Sequence, residues 1–180
     1  MIICAGNNET FNFAQPMGVG LVETAMNLTR LCLFDKPEFI LFVGTAGSYG
    51  RHKIFDIIES KTSSNIELAF LNNDAYTPLE NVISTNLTNK KDVIVNSSNY
   101  ISTNETLTKK FLQFGVEIEN MEFFSVLAIA KEFEIPAGGI FCITNYTNKN
   151  AHDDFLKNHE QAKELLEAHV IKRIKELTKK

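Results

Sequence analysis

Two short polar segments, each at the edge of an apolar run, hold the residues best suited to chemistry. Glu119-Asn120-Met121-Glu122 opens the apolar stretch Phe123–Phe133, and Cys142-Ile143-Thr144-Asn145 closes the run Ala137–Ile143. A carboxylate at a helix start and a polar residue at a strand end can face each other across a cleft, which is how α/β sheets form ligand sites. A carboxylate there accepts hydrogen bonds from hydroxyl groups, and an asparagine offers both a donor and an acceptor. We therefore expect a small-molecule site between these two segments.

Size and composition are those of an ordinary globular protein. The 180 residues suffice for one domain with its own core, and we expect a single domain over residues 1–180. The net charge is −4 and there is no basic block, so no nucleic-acid partner is expected. The three cysteines are widely spaced in apolar contexts, which indicates buried free thiols and no metal site.

The sequence also gives expectations about location. No apolar run reaches the ~18 residues that a membrane span requires. Met1 is followed directly by apolar residues rather than by a basic leader segment. We therefore expect a cytoplasmic protein with no membrane partner.

The elements that must position the two segments alternate between strands and helices. Apolar residues at helical spacing predict helices over Leu21–Phe34, Thr106–Phe114 and Glu122–Phe133, and a final helix with Ala162, Leu166 and Val170 on one face. Short apolar runs predict the strands Met1–Ala5, Phe11–Ala14, Phe39–Val43, Ile54–Ile58, Ile66–Leu71, Val82–Ile83, Asp92–Val95, Val116–Ile118 and Ala137–Ile143. Interleaved strands and helices indicate a single three-layer α/β domain.

Five short segments occur in a recognisable order: Pro16–Gly20, Phe39–Gly47, Asn96–Ile101, Asn120–Glu122 and Ile143–Asn145. They resemble, in turn, the segment before the buried strand, the buried strand with its glycine turn, the base-binding strand and loop, the V-E-M-E motif and the I-S-D strand end of the nucleoside phosphorylase and nucleosidase superfamily. The sequence is most similar to 5′-methylthioadenosine/S-adenosylhomocysteine nucleosidases and bacterial purine nucleoside phosphorylases. The resemblance implies a three-layer αβα sandwich with a mixed central sheet, and cleavage of the N-glycosidic bond of a purine nucleoside.

This resemblance assigns the sugar end of the site to the segment Asn120-Met121-Glu122. Breaking a ribose–base bond passes through an oxocarbenium-like sugar. Glu122 would accept hydrogen bonds from the 2′ and 3′ hydroxyls and favour the developing positive charge, with Met121 as an apolar floor and Asn120 beside it. Taken alone, Glu122 is more typical of a first-turn glutamate that complements the helix dipole.

Asn145 takes the position where the nucleosidases and the hexameric phosphorylases of this superfamily carry an aspartate that protonates purine N7. An asparagine has no proton to give. It can still donate a hydrogen bond to N7 or O6, as in relatives selective for inosine and guanosine. Asn145 therefore favours a 6-oxopurine nucleoside, and it is also compatible with a degenerate site that binds a nucleoside or base with little turnover.

Three residues are expected around the base. Tyr100 would stack on the purine, and Ile101 would line the same wall. Phe155 is placed by the resemblance as a second ring, at the end of a polar loop from Tyr146 to Asp154. Tyr100 is also compatible with an ordinary half-buried position at a strand end.

The acceptor of the sugar is either water or phosphate. Thr45, Ala46 and Gly47 would offer backbone N–H groups and a hydroxyl to an anion. The arginines that bind phosphate in the bacterial phosphorylases are replaced here by Phe42 and by the turn Asn7-Asn8-Glu9, so phosphate is poorly supported. No cofactor is expected, with phosphate as the only possible co-substrate.

The turn Gly6-Asn7-Asn8-Glu9 resembles the nucleosidase turn that carries the base for the attacking water. Glu9 is then the expected general base, although a solvated loop glutamate fits the sequence as well. In the superfamily a long stretch with its own strands usually follows this turn, whereas only Gly6–Gln15 stand here, so the chain is shortened near its N-terminus. Relatives form dimers, trimers and hexamers, which implies a homo-oligomer, with a dimer favoured.

Overall fold

A mixed β-sheet with helices on both faces organises the molecule, whose computed structural model describes residues 1–86 and 92–177. Within these residues the sheet has nine strands: β1 (Ile2–Cys4), β2 (Gln15–Pro16), β3 (Ile40–Ser48), β4 (Ile57–Ser60), β5 (Thr62–Ser64), β6 (Val82–Ser84), β7 (Ile94–Ser97), β8 (Val116–Asn120) and β9 (Ala137–Tyr146). The helices are α1 (Gly20–Asp35), α2 (Leu68–Leu71), α3 (Glu105–Gln113), α4 (Phe123–Glu132) and α5 (Ala151–Leu177).

The two longest strands, β3 and β9, form the centre of the sheet. They run parallel from the pair Ile40 and Ala137 to the pair Ser48 and Tyr146. β1 lies parallel to β3 on its other side, and the end of β3 pairs antiparallel with β8. The register of β3 and β9 shifts by one residue after Ala46, so that Gly47 is level with Asn145.

Helices cover the sheet on both faces. On one face α1 and α4 pack their apolar residues against Phe42 and Phe141 of the two central strands. On the other face α5 packs Ala162, Leu166 and Val170 against β3 and β9. The predicted three-layer α/β architecture with a mixed central sheet is therefore confirmed.

Two predicted strands are wrong. Phe11–Ala14 forms a turn, and the second strand is Gln15–Pro16; the rings of Phe11 and Phe13, 5.3 Å apart, pack on the α5 face instead. Leu68–Leu71, within the predicted strand Ile66–Leu71, is the short helix α2.

The strand that precedes α2 was missed because its side chains are polar. β5 consists of Thr62, Ser63 and Ser64, all buried. The hydroxyl of Ser63 donates to the carbonyl of Val95 at 2.7 Å, and that of Ser64 donates to Asn96 Oδ1 at 2.9 Å. Hydroxyl groups that find partners on the neighbouring strand can be buried without an apolar pattern in the sequence.

None of the helices in the described part of the chain has the length and apolar character needed to cross a membrane.

Candidate active site

A cavity of about 300 Å³ opens at the carboxyl ends of β1, β3, β7, β8 and β9. All the site residues predicted from the sequence line it: Glu9, Thr45, Ala46, Gly47, Tyr100, Ile101, Asn120, Met121, Glu122, Asn145 and Phe155. The fold thus brings together segments that are up to about 150 residues apart in sequence. Their individual roles remain predictions.

Glu122 is a buried carboxylate held by donors on both oxygens. Its Oε1 accepts from the amide of Gly20 at 2.8 Å, and its Oε2 accepts from Asn120 Nδ2 at 2.8 Å and from the amide of Met121 at 3.2 Å. The pKa of Glu122 is raised to about 7, chiefly by burial; the Gly20 amide opposes this shift, and the charge of Glu9 contributes to it. Gly20 is the first residue of α1, whose positive end therefore faces this carboxylate.

Asn120 orients Glu122 through both ends of its amide. Its Oδ1 accepts from the backbone N–H groups of Glu122 and Phe123, each at 2.8 Å, at the start of α4. Its Nδ2 donates to the Glu122 carboxylate. The single side chain of Asn120 therefore lies at the end of β8, caps the start of α4 and holds the carboxylate of Glu122 in place.

Glu9 lies against the middle of β3. Its carboxylate accepts from the hydroxyl and from the amide of Thr45, the latter at 3.3 Å. A Cβ on Gly44 would lie 3.0 Å from Glu9 Oε2, so the glycine leaves room for this approach. Burial raises the pKa of Glu9, whereas the two Thr45 donors and, more weakly, His159 and Lys163 of α5 lower it.

Asn145 is buried and its amide is held at both ends. The hydroxyl of Thr144 donates to Oδ1 at 2.9 Å, and Nδ2 donates to the carbonyl of Tyr146 at 3.3 Å. These partners fix which end of the amide is which, because a carbonyl requires a donor. The second hydrogen of Nδ2 can therefore serve a ligand.

The aromatic wall of the cavity, formed by Tyr100 and Ile101, is more exposed to solvent than the part that contains the buried Glu122. Tyr100 and Ile101 are 78% and 52% exposed at its mouth. Phe155 was expected at the end of a polar loop, but β9 extends to Tyr146 and α5 begins at Ala151, so Phe155 is a helix residue. Its ring meets His159 edge-on, with the centroids 4.8 Å apart.

Sequence reasoning missed one ionisable residue of the cavity, Glu119. It belongs to the same four-residue segment as Glu122 and lines the cavity. Its carboxylate accepts from the hydroxyl of Tyr49 at 3.0 Å and from the amide of Ser102 at 2.9 Å. Burial raises its pKa, and these two donors oppose the shift. Glu119 is brought to the cavity by the pairing of β8 with β3, and pairing between strands that are far apart in sequence leaves no local pattern in the sequence.

The family model described as the phosphorylase superfamily matches residues 2–175. The chain belongs to the phosphorylase superfamily. Comparison with curated protein sequences gives no significant match to this superfamily member.

Solved structures similar to this superfamily member include nucleosidases and a futalosine hydrolase. An aspartate-to-asparagine mutant of the Helicobacter pylori MTAN, with 5′-methylthioadenosine in its active site, has a TM-score of 0.78 and 18% identity over 91% of this chain and 79% of its own. Helicobacter pylori futalosine hydrolase has a TM-score of 0.78 and 17% identity, over 91% of this chain and 78% of its own. The Streptococcus pneumoniae 5′-methylthioadenosine/S-adenosylhomocysteine nucleosidase with a transition-state inhibitor has a TM-score of 0.74 and 14% identity, over 94% of this chain and 95% of its own. At these identities the likeness shows the fold alone.

Proposed function

We propose that this protein hydrolyses the N-glycosidic bond of a purine nucleoside, and that its preferred substrate carries a 6-oxopurine base such as that of inosine or guanosine. The observation that carries the proposal is the pair Glu9 and Glu122. Both carboxylates line one cavity, and they are close enough that the charge of Glu9 raises the pKa of Glu122. Most glycoside hydrolases break the glycosidic bond with a pair of carboxylates at one site.

Glu122 suits the sugar. Its oxygens accept three hydrogen bonds from the protein, and a carboxylate has about four lone-pair positions, so about one position is left for a ribose hydroxyl. A ribose hydroxyl that donates to it would increase electron density on the sugar as the C1′–N9 bond weakens. A fixed negative charge in a water-poor cavity stabilises the oxocarbenium-like transition state.

Glu9 suits a water nucleophile better than phosphate. The Thr45 amide and hydroxyl, which were expected to be available to an anion, donate to Glu9 instead. Among the described residues that line the cavity there is no lysine or arginine, whereas three are glutamates. A doubly charged phosphate would be repelled there, while a water molecule can give its proton to Glu9 as its oxygen bonds to C1′.

Asn145 suits a 6-oxopurine leaving group. When the C1′–N9 bond breaks, the bonding electrons stay on the purine. The free hydrogen of Asn145 Nδ2 can donate to N7 or O6 and stabilise this anion, which then takes a proton from solvent. An adenine leaving group depends more on a proton at N7, which an amide cannot supply.

Asn145 also favours a second candidate function, the binding of a nucleoside or base with little turnover. The solved neighbour that holds 5′-methylthioadenosine in its active site is an aspartate-to-asparagine mutant. An aspartate-to-asparagine change in a protein of this fold is therefore compatible with a bound nucleoside, which supports binding more directly than it supports catalysis.

A base-release assay tests the proposal. Inosine, guanosine, adenosine and methylthioadenosine are incubated with the protein, with and without phosphate. We expect release from inosine and guanosine without phosphate, and a loss of roughly 100-fold or more in kcat/KM in Glu122→Gln. Glu80→Gln, which removes an exposed carboxylate bound to Lys131, is the matched control and should be unchanged.

Each other outcome has a defined meaning. An absolute requirement for phosphate contradicts hydrolysis. No turnover, with thermal stabilisation by inosine or hypoxanthine, supports the binding function. Neither turnover nor stabilisation contradicts both.

A further inference from the structure

The aromatic wall of the cavity belongs to residues 98–104, which connect β7 to α3. Tyr100 and Ile101, the two residues of the wall, line the cavity but are exposed to solvent. Exposed side chains bury little apolar surface, so packing contributes little to holding this segment in place. The position of the wall therefore depends on the hydrogen bonds that fasten the segment to the rest of the molecule.

Two hydrogen bonds fasten the segment, one on each side of the wall. Before the wall, Asn99 Oδ1 accepts from the amide of Leu21, in the first turn of α1, at 2.9 Å. After the wall, the amide of Ser102 donates to Oε1 of Glu119, the residue of β8 to which no role in catalysis was assigned above, at 2.9 Å. The first bond ties the wall to a helix and the second ties it to the central sheet.

The carboxylate of Glu119 is itself held in place. Its Oε2 accepts from the hydroxyl of Tyr49 at 3.0 Å, and the Tyr49 ring stacks on Phe111 of α3 with the centroids 4.5 Å apart. The backbone of Glu119 pairs with Gly47 of β3. The acceptor for the segment is therefore fixed both by the sheet and by the helix that follows the segment.

We propose that Glu119 is a positioning residue that holds the Tyr100–Ile101 wall in the conformation that receives the base. This inference rests on the proposed function and adds to it the group that keeps the wall in place. Without this acceptor the Ser102 amide would bond to water, and only a fraction of the molecules would have the wall in place. Ligand affinity would fall in proportion to that fraction, whereas the chemical step in the bound state would not change.

This role needs a hydrogen-bond acceptor and does not need a charge. In Glu119→Gln the new amide can accept from the Ser102 amide through its oxygen and donate to the Tyr49 oxygen through its nitrogen. In Glu119→Val neither bond can form, although valine suits a strand. The two variants therefore separate the loss of the acceptor from the loss of the charge.

Amide hydrogen exchange in the ligand-free protein tests the contact directly. We expect the Ser102 amide to exchange roughly tenfold or more faster in Glu119→Val than in the wild type, and at the wild-type rate in Glu119→Gln. Glu117→Gln is the control, because Glu117 lies on the same strand but outside the cavity, bound to Arg51 and His52. If Glu119→Val does not fold, Ser102→Pro removes the donor of the same bond and takes its place in the ligand measurements.

Ligand measurements test the consequence for the site. We expect Glu119→Val to raise the Kd for hypoxanthine, measured by calorimetry, and the KM for inosine by roughly tenfold, with kcat unchanged. Glu119→Gln and Glu117→Gln should retain the wild-type values. A residue that acted in the chemical step would lower kcat instead, and a general loss of structure would lower kcat and raise KM together.

The outcomes separate this inference from the proposed function. Unchanged Kd and KM in Glu119→Val, or equal impairment of Glu119→Gln and Glu119→Val, contradicts the positioning role of Glu119 while leaving hydrolysis intact. If the wild type cleaves no nucleoside, the affinities for hypoxanthine decide. If the wild type neither cleaves inosine nor binds hypoxanthine, the proposed function is contradicted and this inference with it.

Discussion

Under the proposed function, single side chains decide which leaving group the site can assist, and Asn145 is the clearest case. Its Nδ2 donates to the carbonyl of Tyr146, and its Oδ1 accepts from Thr144. An aspartate at this position would set one carboxylate oxygen against that carbonyl. Such an arrangement raises the pKa of the carboxyl, since the protonated form can donate where the ionised form is repelled.

We therefore expect Asn145→Asp to gain activity on adenine nucleosides. The protonated carboxyl would supply the proton that the amide lacks, and general-acid assistance typically contributes 100-fold or more. Initial rates of adenine release from methylthioadenosine check this, with Asn145→Ala as the control for simple loss of the amide. Equal rates in the two variants would mean that position 145 does not contact the leaving group.

Under the proposed function, the ionisation of Glu122 sets a pH dependence for catalysis. Its pKa is raised to about 7, chiefly by burial, and only the ionised form carries the negative charge and accepts at both oxygens. We expect kcat/KM for inosine to rise with pH up to about 7. The substrate 2′,3′-dideoxyinosine, which has neither hydroxyl, should show a weaker dependence, and identical profiles would argue against contact between Glu122 and the ribose.

Among the elements, α5 carries a buried histidine in its inward face. His159 is buried, and its Nε2 has no hydrogen-bond partner in the part of the chain that the structure describes. The other ring nitrogen lies 3.6 Å from the exposed carboxylate of Glu160. A buried polar atom without a partner costs free energy of folding.

We expect His159→Leu to increase the free energy of unfolding by about 1 kcal/mol, since the unpaired nitrogen is removed and an apolar side chain takes its place. Urea denaturation at pH 7 measures the change. His169→Leu on the same helix is the control, and it should not stabilise the protein because His169 is bonded to Glu59. A loss of stability in His159→Leu would show that the imidazole contributes more than its unpaired nitrogen costs.

The sequence predicted those elements whose burial pattern is local. The run Phe39–Val43 predicted β3 because a strand buried on both faces is apolar throughout, and the same holds for β9. It did not predict β5, because its serines are satisfied by partners on β7 that are about 30 residues away. The start of α5 was missed because its first turn is polar.

The same distinction applies to the site. Glu9, Glu122 and Asn145, which line one cavity, could be predicted as candidates because each belongs to a short segment with a recognisable order along the chain. Glu119 was missed as a site residue because its position depends on the pairing of β8 with β3 at Gly47. Pairing between strands about 70 residues apart has no periodicity that a local pattern could reveal.

At the scale of the whole molecule, the acidic cavity makes stability depend on pH. The pKa values of Glu9, Glu119 and Glu122 are all raised by burial. A carboxyl whose pKa is higher in the folded state holds its proton more tightly there. Its contribution to stability is therefore present below the unfolded pKa and is lost as the pH rises through the folded value.

We expect the ligand-free wild type to lose about 3 kcal/mol of unfolding free energy relative to Glu122→Gln between pH 4 and pH 8, for a pKa raised from 4.5 to about 7. Denaturant titrations of both proteins across this range measure the difference. A difference that does not change with pH would mean that Glu122 ionises at its ordinary pKa in the folded protein.

The one-residue register shift between β3 and β9 has a consequence for how this site can change. Because of the shift, Ala46 is level with Ile143 and Gly47 with Asn145, so Thr144 is the extra residue. Deleting Asn145 would restore regular pairing and place Thr144 beside Gly47, whereas deleting Thr144 would restore the pairing and leave the asparagine in place. The side chain beside Gly47, where we propose that the leaving base binds, can therefore change by deletion as well as by substitution, so that under this proposal the length of the strand is itself a heritable determinant of substrate choice.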